Sequence, residues 1–290
     1  MEEDDLRAST NIDDRRGMSG ATRGGLGIGA IVVVALLSWA TGINPALLFQ
    51  GAEIVTGAGH QTQSAPGRQG TPTDQIGNFV ARVLGETEDV WTEILPQQAN
   101  VQYQPPTLVL FSGMTNSACG MAQSAMGPFY CPNDRKLYLD TAFFQDMQHK
   151  LGGGGDFAYA YVIAHEVGHH VQNLIGLLPK VQQVESRSDE RTANAYSVKT
   201  ELMADCLAGV WAYHMNQRHR NINEQDVQQA VATATAIGDD RLQRASGRGV
   251  VMPDSFTHGT SAQRVQWLTT GLRSGNINAC NTFAQQPQQQ

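Results

Sequence analysis

The stretch Tyr161-Val-Ile-Ala-His-Glu-Val-Gly-His-His170 places the tightest constraint on this 290-residue chain. Phe157, Tyr161, Ile163 or Ala164, Val167 and Val171 recur at helical spacing, which gives one apolar face. The pattern predicts a helix that starts at Asp156, after the Gly152–Gly155 break, and ends near Gly176. Residues four apart share a helix face, so His165 and His169 can reach one metal ion together. Glu166 points in a neighbouring direction, where it could hold a water bound to that ion.

The pattern H-E-x-x-H is the zinc-protease arrangement. A catalytic zinc also needs a third protein ligand and an open position. The next long helix, predicted over 188–215, offers Glu201 and Asp205, again four apart. One carboxylate can bind Zn2+ while the other accepts a hydrogen bond from a ligating imidazole and fixes its tautomer. The bland alternative is a solvated helix face. Thermolysin-like proteases, the gluzincins, carry H-E-x-x-H on one helix and E-x-x-x-D on a later one, and this chain resembles them. The resemblance implies that His165, His169 and Glu201 are the zinc ligands, that Asp205 orients His165, and that Glu166 is the general base.

The remaining histidines divide into two groups. His170 lies about 100° around the helix from His169 and reads as a packing or surface residue. His60, His149, His214 and His219 have no partner spacing. Thr257-His258-Gly259-Thr260-Ser261-Ala262-Gln263-Arg264 differs, because it resembles the T-H-P-x-x-x-x-R stretch of CAAX proteases and membrane heat-shock proteases, with Gly259 in place of proline. His258 and Arg264 could donate hydrogen bonds to an oxyanion or to a carboxylate near the zinc. Equally, the stretch could be a helix N-terminal turn with Arg264 in a surface pair.

Taken together, Met126–Pro132, Tyr161–Gln172, Glu201–Trp211, Ile237–Gln243 and Pro253–Arg264 resemble the bacterial putative neutral zinc metallopeptidase family. That family has a single membrane span and one extracytoplasmic, gluzincin-like domain. The resemblance covers most of residues 74–283.

Gly24 to Ala52 carries no ionisable side chain, and Leu26 to Phe49 is long enough to span a bilayer, with a kink at Pro45. A cleaved signal peptide is the rival reading, but no clear cleavage site follows the apolar run. Arg15, Arg16 and Arg23 precede the run, and the next basic residue is Arg68. The positive-inside rule then predicts a cytoplasmic N-terminus and an extracytoplasmic domain, in a single-pass membrane protein. Cys119, Cys131, Cys206 and Cys280 allow three disulfide pairings. Proximity in sequence favours Cys119–Cys131, with Cys206–Cys280 tying the tail to the core. The net charge of −7 and the absence of a basic stripe argue against nucleic acid.

The expected layout is a disordered cytoplasmic tail (1–23), a transmembrane anchor (24–49), a flexible linker (50–73), a zinc metallopeptidase domain (74–283) and a polar tail (284–290). The domain reads as α+β and mainly helical. A helix should run from Asp74 to Leu95 and stop at Pro96. A strand is expected at Thr107–Phe111, a loop over 113–127, and a hairpin from Ser124 to Asp140 whose edge could pair with an extended peptide. The function expected is a membrane-anchored zinc peptidase acting on a peptide or protein substrate. A zinc-stabilised binding or assembly factor and a zinc amidase on non-peptide amides are the alternatives. Oligomeric state is not legible.

Overall fold

The computed structural model describes Met1 and residues 5–17, 67–151, 154–245 and 252–284. Helices dominate and a small mixed sheet accompanies them, an α+β fold. The strands are β1 (Ile12–Asp14), β2 (Arg68–Gln69), β3 (Thr107–Phe111), β4 (Met114–Ser117), β5 (Gly120–Gln123), β6 (Phe129–Cys131) and β7 (Lys136–Asp140). The helices are α1 (Gln75–Ala99), α2 (Ala142–Asp146), α3 (Asp156–Leu174), α4 (Leu177–Glu185), α5 (Glu190–His219), α6 (Glu224–Ala236), α7 (Asp239–Ala245) and α8 (Ser261–Ser274).

The main sheet has the order β2-β1-β3-β7-β6. β1, β3 and β7 run parallel, and β2 and β6 pair antiparallel at the two edges. Alternation along each strand sorts the side chains onto two faces. Ile12, Leu108, Leu110, Leu137 and Leu139 join the helices in the large core around Trp91, Phe157 and Trp211. Val109, Phe111 and Tyr138 turn the other way and pack with Ala122 and Cys131. Both faces are therefore covered, which is why β3 reads as an unbroken apolar run.

Residues 5–17 do not form the disordered tail expected from their composition. β1 lies inside the sheet, in register with β3 from Ile12 opposite Leu108 to Asp14 opposite Leu110. Leu6 and Ile12 are buried. The polar residues are matched in place: Arg7 binds Glu88 and Asp89, and Ser9 and Asn11 donate to Glu88. Arg16 bridges Asp14 and Asp74, the N-cap of α1. A buried charge is tolerated when it is paired and hydrogen-bonded. The end of the expected linker is folded too, since β2 pairs with β1. β1 and β2 thus belong to the same compact unit as the helices, and residues 285–290 lie outside the described residues.

The expected membrane span, 24–49, also lies outside the described residues, and no helix among the described residues is long and apolar enough to cross a membrane. The flanks of that span are informative. β1 precedes it and β2 follows it, and the two are hydrogen-bonded neighbours in one sheet.

Two local differences have physical causes. α1 continues through Pro96 to Ala99, because proline removes one donor but leaves its own carbonyl free to accept from Asn100 N at 3.2 Å. The expected loop at 113–127 contains the β4–β5 hairpin. Asp140 accepts from Gly113 N and from the Ser124 hydroxyl, which closes the base of that hairpin. Disulfides link Cys119 to Cys131 and Cys206 to Cys280, the favoured pairing.

Candidate metal centre

α3 carries His165, Glu166 and His169, and α5 carries Glu201 and Asp205. The two helices meet at Gly168 and Ala204. A Cβ at Gly168 would sit 3.0 Å from the Ala204 carbonyl oxygen, so a larger residue there would push the helices apart. Ala204 lies between Glu201 and Asp205 in sequence, and this close approach brings both carboxylates within reach of the imidazoles.

His165 Nε2 lies 3.2 Å from one Glu201 oxygen and His169 Nε2 lies 3.3 Å from the other. The candidate ligand atoms of His165, His169 and Glu201 all fall within 4.8 Å of one another. Two imidazoles and one carboxylate form a donor set suited to zinc, and such a set leaves room for a water or substrate atom. Each imidazole is held from behind through Nδ1. His165 Nδ1 donates to Asp205 Oδ1 at 2.9 Å, and His169 Nδ1 donates to Gln172 Oε1 at 2.9 Å. Gln172 is itself fixed, since its amide donates to the Thr200 carbonyl at 2.7 Å. Both Nε2 atoms are thereby left to face the same point.

Asp205 is fully buried and gathers three donors: His165, the Tyr161 hydroxyl at 2.6 Å, and Arg264 from α8. Burial alone would raise its pKa, but the Arg264 charge and the His165 hydrogen bond hold it below the usual carboxylate value. For His165 burial works downward, yet the Asp205 hydrogen bond and charge, and then Glu201, carry it up to about 10. Glu201 is held well below its usual value despite burial, chiefly by His169 and His165. Protons and a divalent cation compete for these same nitrogens, so metal binding would release protons. Glu166 is buried beside the group, and burial raises its pKa against the downward pull of His165 and His169.

Arg264 is therefore no surface residue, and its partner is Asp205. His258 stands on the loop before α8, half-exposed, with Nδ1 3.2 Å from Asp239 Oδ1. His170 packs away from the group: Nε2 donates to the Gln104 carbonyl at 2.6 Å and Nδ1 accepts from the Tyr130 hydroxyl at 3.0 Å. Gln172, Tyr161 and Asp239 were not singled out as site residues from the sequence. Helical spacing was the available signal for two of them, since Tyr161 is four residues before His165 and Gln172 three after His169.

His165, His169 and Glu201 thus form a group that could hold a metal ion. The profile of the family described as "Putative neutral zinc metallopeptidase" matches residues 1–283, and the chain belongs to that family. It is 44% identical over 287 residues, 96% of both chains, to the uncharacterized protein YpfJ of Escherichia coli K12. It is 43% identical over 205 residues to the uncharacterized protein Rv2575 of Mycobacterium tuberculosis, covering 67% of this chain and 66% of that one. The uncharacterized protein Mb2605 of Mycobacterium bovis matches to the same extent. No solved structure matches.

Proposed function

We propose that this protein is a zinc-dependent peptidase of gluzincin type. The observation that carries the reading is the convergence of His165 Nε2 and His169 Nε2 on the Glu201 carboxylate, with Glu166 buried alongside. His165, His169 and Glu201 would hold the zinc, which when bound would polarise the scissile carbonyl and make a water nucleophilic near neutral pH. Glu166 takes the proton from that water as it attacks and passes it to the leaving amine. Its raised pKa suits a base that must also give the proton back. Asp205 and Gln172 hold the imidazoles in the ligating tautomer, and Arg264 holds Asp205. The place of β6 at the end of the sheet supports an extended peptide as substrate, and its Tyr130 binds His170, the neighbour of His169.

Glu166→Gln should keep bound zinc and lose about 100-fold or more of peptide cleavage. His165→Ala should lose the metal. Persistent cleavage by metal-loaded Glu166→Gln would overturn the mechanism. Full zinc occupancy with no Glu166-dependent cleavage of peptides or of other amides would favour a binding factor.

The apolar run 24–49 supports attachment to a membrane, and both of its ends would face the side on which the domain lies. Two disulfides favour an oxidising, extracytoplasmic compartment.

A further inference from the structure

The β4–β5 hairpin turns methionines outward. Met114 stands opposite Gln123 and Asn116 opposite Met121, so these four side chains share one face, and all four are exposed. Thr115 and Ala122 point the other way, Thr115 to Arg15 and Ala122 into the small core with Phe111 and Tyr138. Met114 is 60% exposed and Met121 55%, and Met126, in the turn that follows, is 61%. Among the described residues, Met252 is the one other large apolar side chain so exposed. From Ser112 to Asn133 there is no acidic, basic or histidine side chain. Water thus meets thioethers and amides there with no charge among them. Unbranched methionine adapts to irregular apolar partners, and clustered exposed apolar side chains mark a contact surface. The Cys119–Cys131 disulfide and the bonds from Gly113 and Ser124 to Asp140 hold the hairpin at tip and base, so the face is carried on a fixed frame.

The hairpin also stands where the chain leaves the sheet for the apolar run. The Arg15 backbone N–H donates to the Leu110 carbonyl, and its guanidinium reaches Thr115 Oγ1 at 2.9 Å and the Asn116 carbonyl at 3.1 Å. Gly17 is two residues further on, a reach of about 7 Å at most. On the returning side, the Gly67 N–H donates to Asp13 Oδ1 at 2.7 Å. Gly17 and Gly67 therefore both lie within a few residues of the hairpin, and the stretch Gly24–Ala52, without an ionisable side chain, falls between them. The helices pack on the opposite face of the sheet, so a contact made through the hairpin would leave the metal group uncovered.

We infer that the Met114–Met121 face of the hairpin rests on the lipid bilayer and sets how the domain stands there. The inference rests on the membrane attachment proposed for the run 24–49 and adds the surface of the folded domain that meets lipid. An apolar face of this kind enters the headgroup boundary to a depth of about 5–10 Å. Two features fit lipid better than a charged partner. The face has no Asp or Glu for anionic headgroups to repel and no Lys or Arg to seek them. The chain's own apolar run also begins and ends beside it.

The test uses the full chain in phosphatidylcholine vesicles. All four native cysteines are in disulfides, so Gln123→Cys places one thiol on the methionine face and Gln228→Cys places one on the exposed side of α6. An environment-sensitive dye on residue 123 should shift its emission to shorter wavelength and be quenched by lipids that carry a nitroxide near the headgroup. The dye on residue 228 should show neither effect. High salt should leave both signals unchanged, because no charge holds the face to the surface. Adding Met114→Glu, Met121→Glu and Met126→Glu to Gln123→Cys should return the dye to its water-exposed emission while the chain still floats with the vesicles. A dye on residue 123 as water-exposed as that on residue 228, in a chain that floats, would overturn the inference and leave the attachment standing. A wavelength shift without quenching by lipid would mean that protein covers the face, and would overturn it as well. A chain that does not float would defeat the attachment, and the inference with it.

Discussion

Arg264 grips Asp205 with a two-pronged hydrogen bond, Nε to Oδ2 at 2.9 Å and Nη2 to Oδ1 at 2.8 Å, and the two side chains are 3% and 0% exposed. The arginine thus balances, from α8, the charge of the carboxylate that orients His165. Arg264→Met would leave Asp205 buried without its countercharge, a change that costs about 3–5 kcal/mol. Arg264→Lys keeps the charge but loses the planar fork, so it should also weaken zinc binding. Denaturant unfolding and zinc titration of both variants check this. Unchanged stability in Arg264→Met would mean that the pair contributes nothing net.

The sequence carried the helical frame and the candidate ligands more plainly than it carried their supports. His165, Glu166, His169, Glu201 and Asp205 were legible because a period of 3.6 converts spacing into a shared face. Arg264 was legible only as a candidate donor to some carboxylate near the zinc or as a surface pair, since helix–helix packing brings it to Asp205 across 59 residues. The N-terminal segment was misread for a related reason. Its charges resemble those of a solvated tail, and only the fold pairs Arg7 with Glu88 and Arg16 with Asp74. Composition records how many charges a segment has, not whether their partners await them. β4 and β5 were hidden by short length and weak alternation, with their closure resting on Asp140 and a disulfide.

His170 makes acid stability measurable. Its ring is 1% exposed, and its hydrogen bonds suit only the neutral form: Nε2–H donates to Gln104, and Nδ1 accepts from Tyr130. Tyr130 in turn accepts from Asn173 at 2.9 Å, and burial lifts its own pKa to about 12, so it stays a donor toward His170. Burial lowers the His170 pKa from 6.5 to about 4. The unfolded chain therefore binds this proton at a higher pH than the folded one. Stability should be unaffected above pH about 6.5, fall as pH drops through that value, and level off below about 4, with a total loss of about 3 kcal/mol from this group. His170→Gln lacks the titration, so its stability should change less across that window. Parallel pH–stability curves for the two proteins would show that His170 does not contribute.

The pairing of β1 with β2 makes a further prediction, about topology. Asp13 lies opposite Gln69 and Asp14 opposite Arg68, while β1 also runs in register with β3 in the core of the sheet. The chain that leaves Asp14 and returns at Arg68 must begin and end at neighbouring positions. If the apolar run between them enters a bilayer, it must return to the side it left. Thr10 and Gln228 are both exposed, and all four native cysteines are in disulfides, so Thr10→Cys and Gln228→Cys each introduce one free, accessible thiol. In intact cells a membrane-impermeant maleimide should label both variants or neither, and permeabilised cells should label both. A single crossing would give opposite results for the two sites and would require residues 5–17 to leave the sheet. That would expose Leu6 and Ile12 and strip Glu88 of Arg7, Ser9 and Asn11.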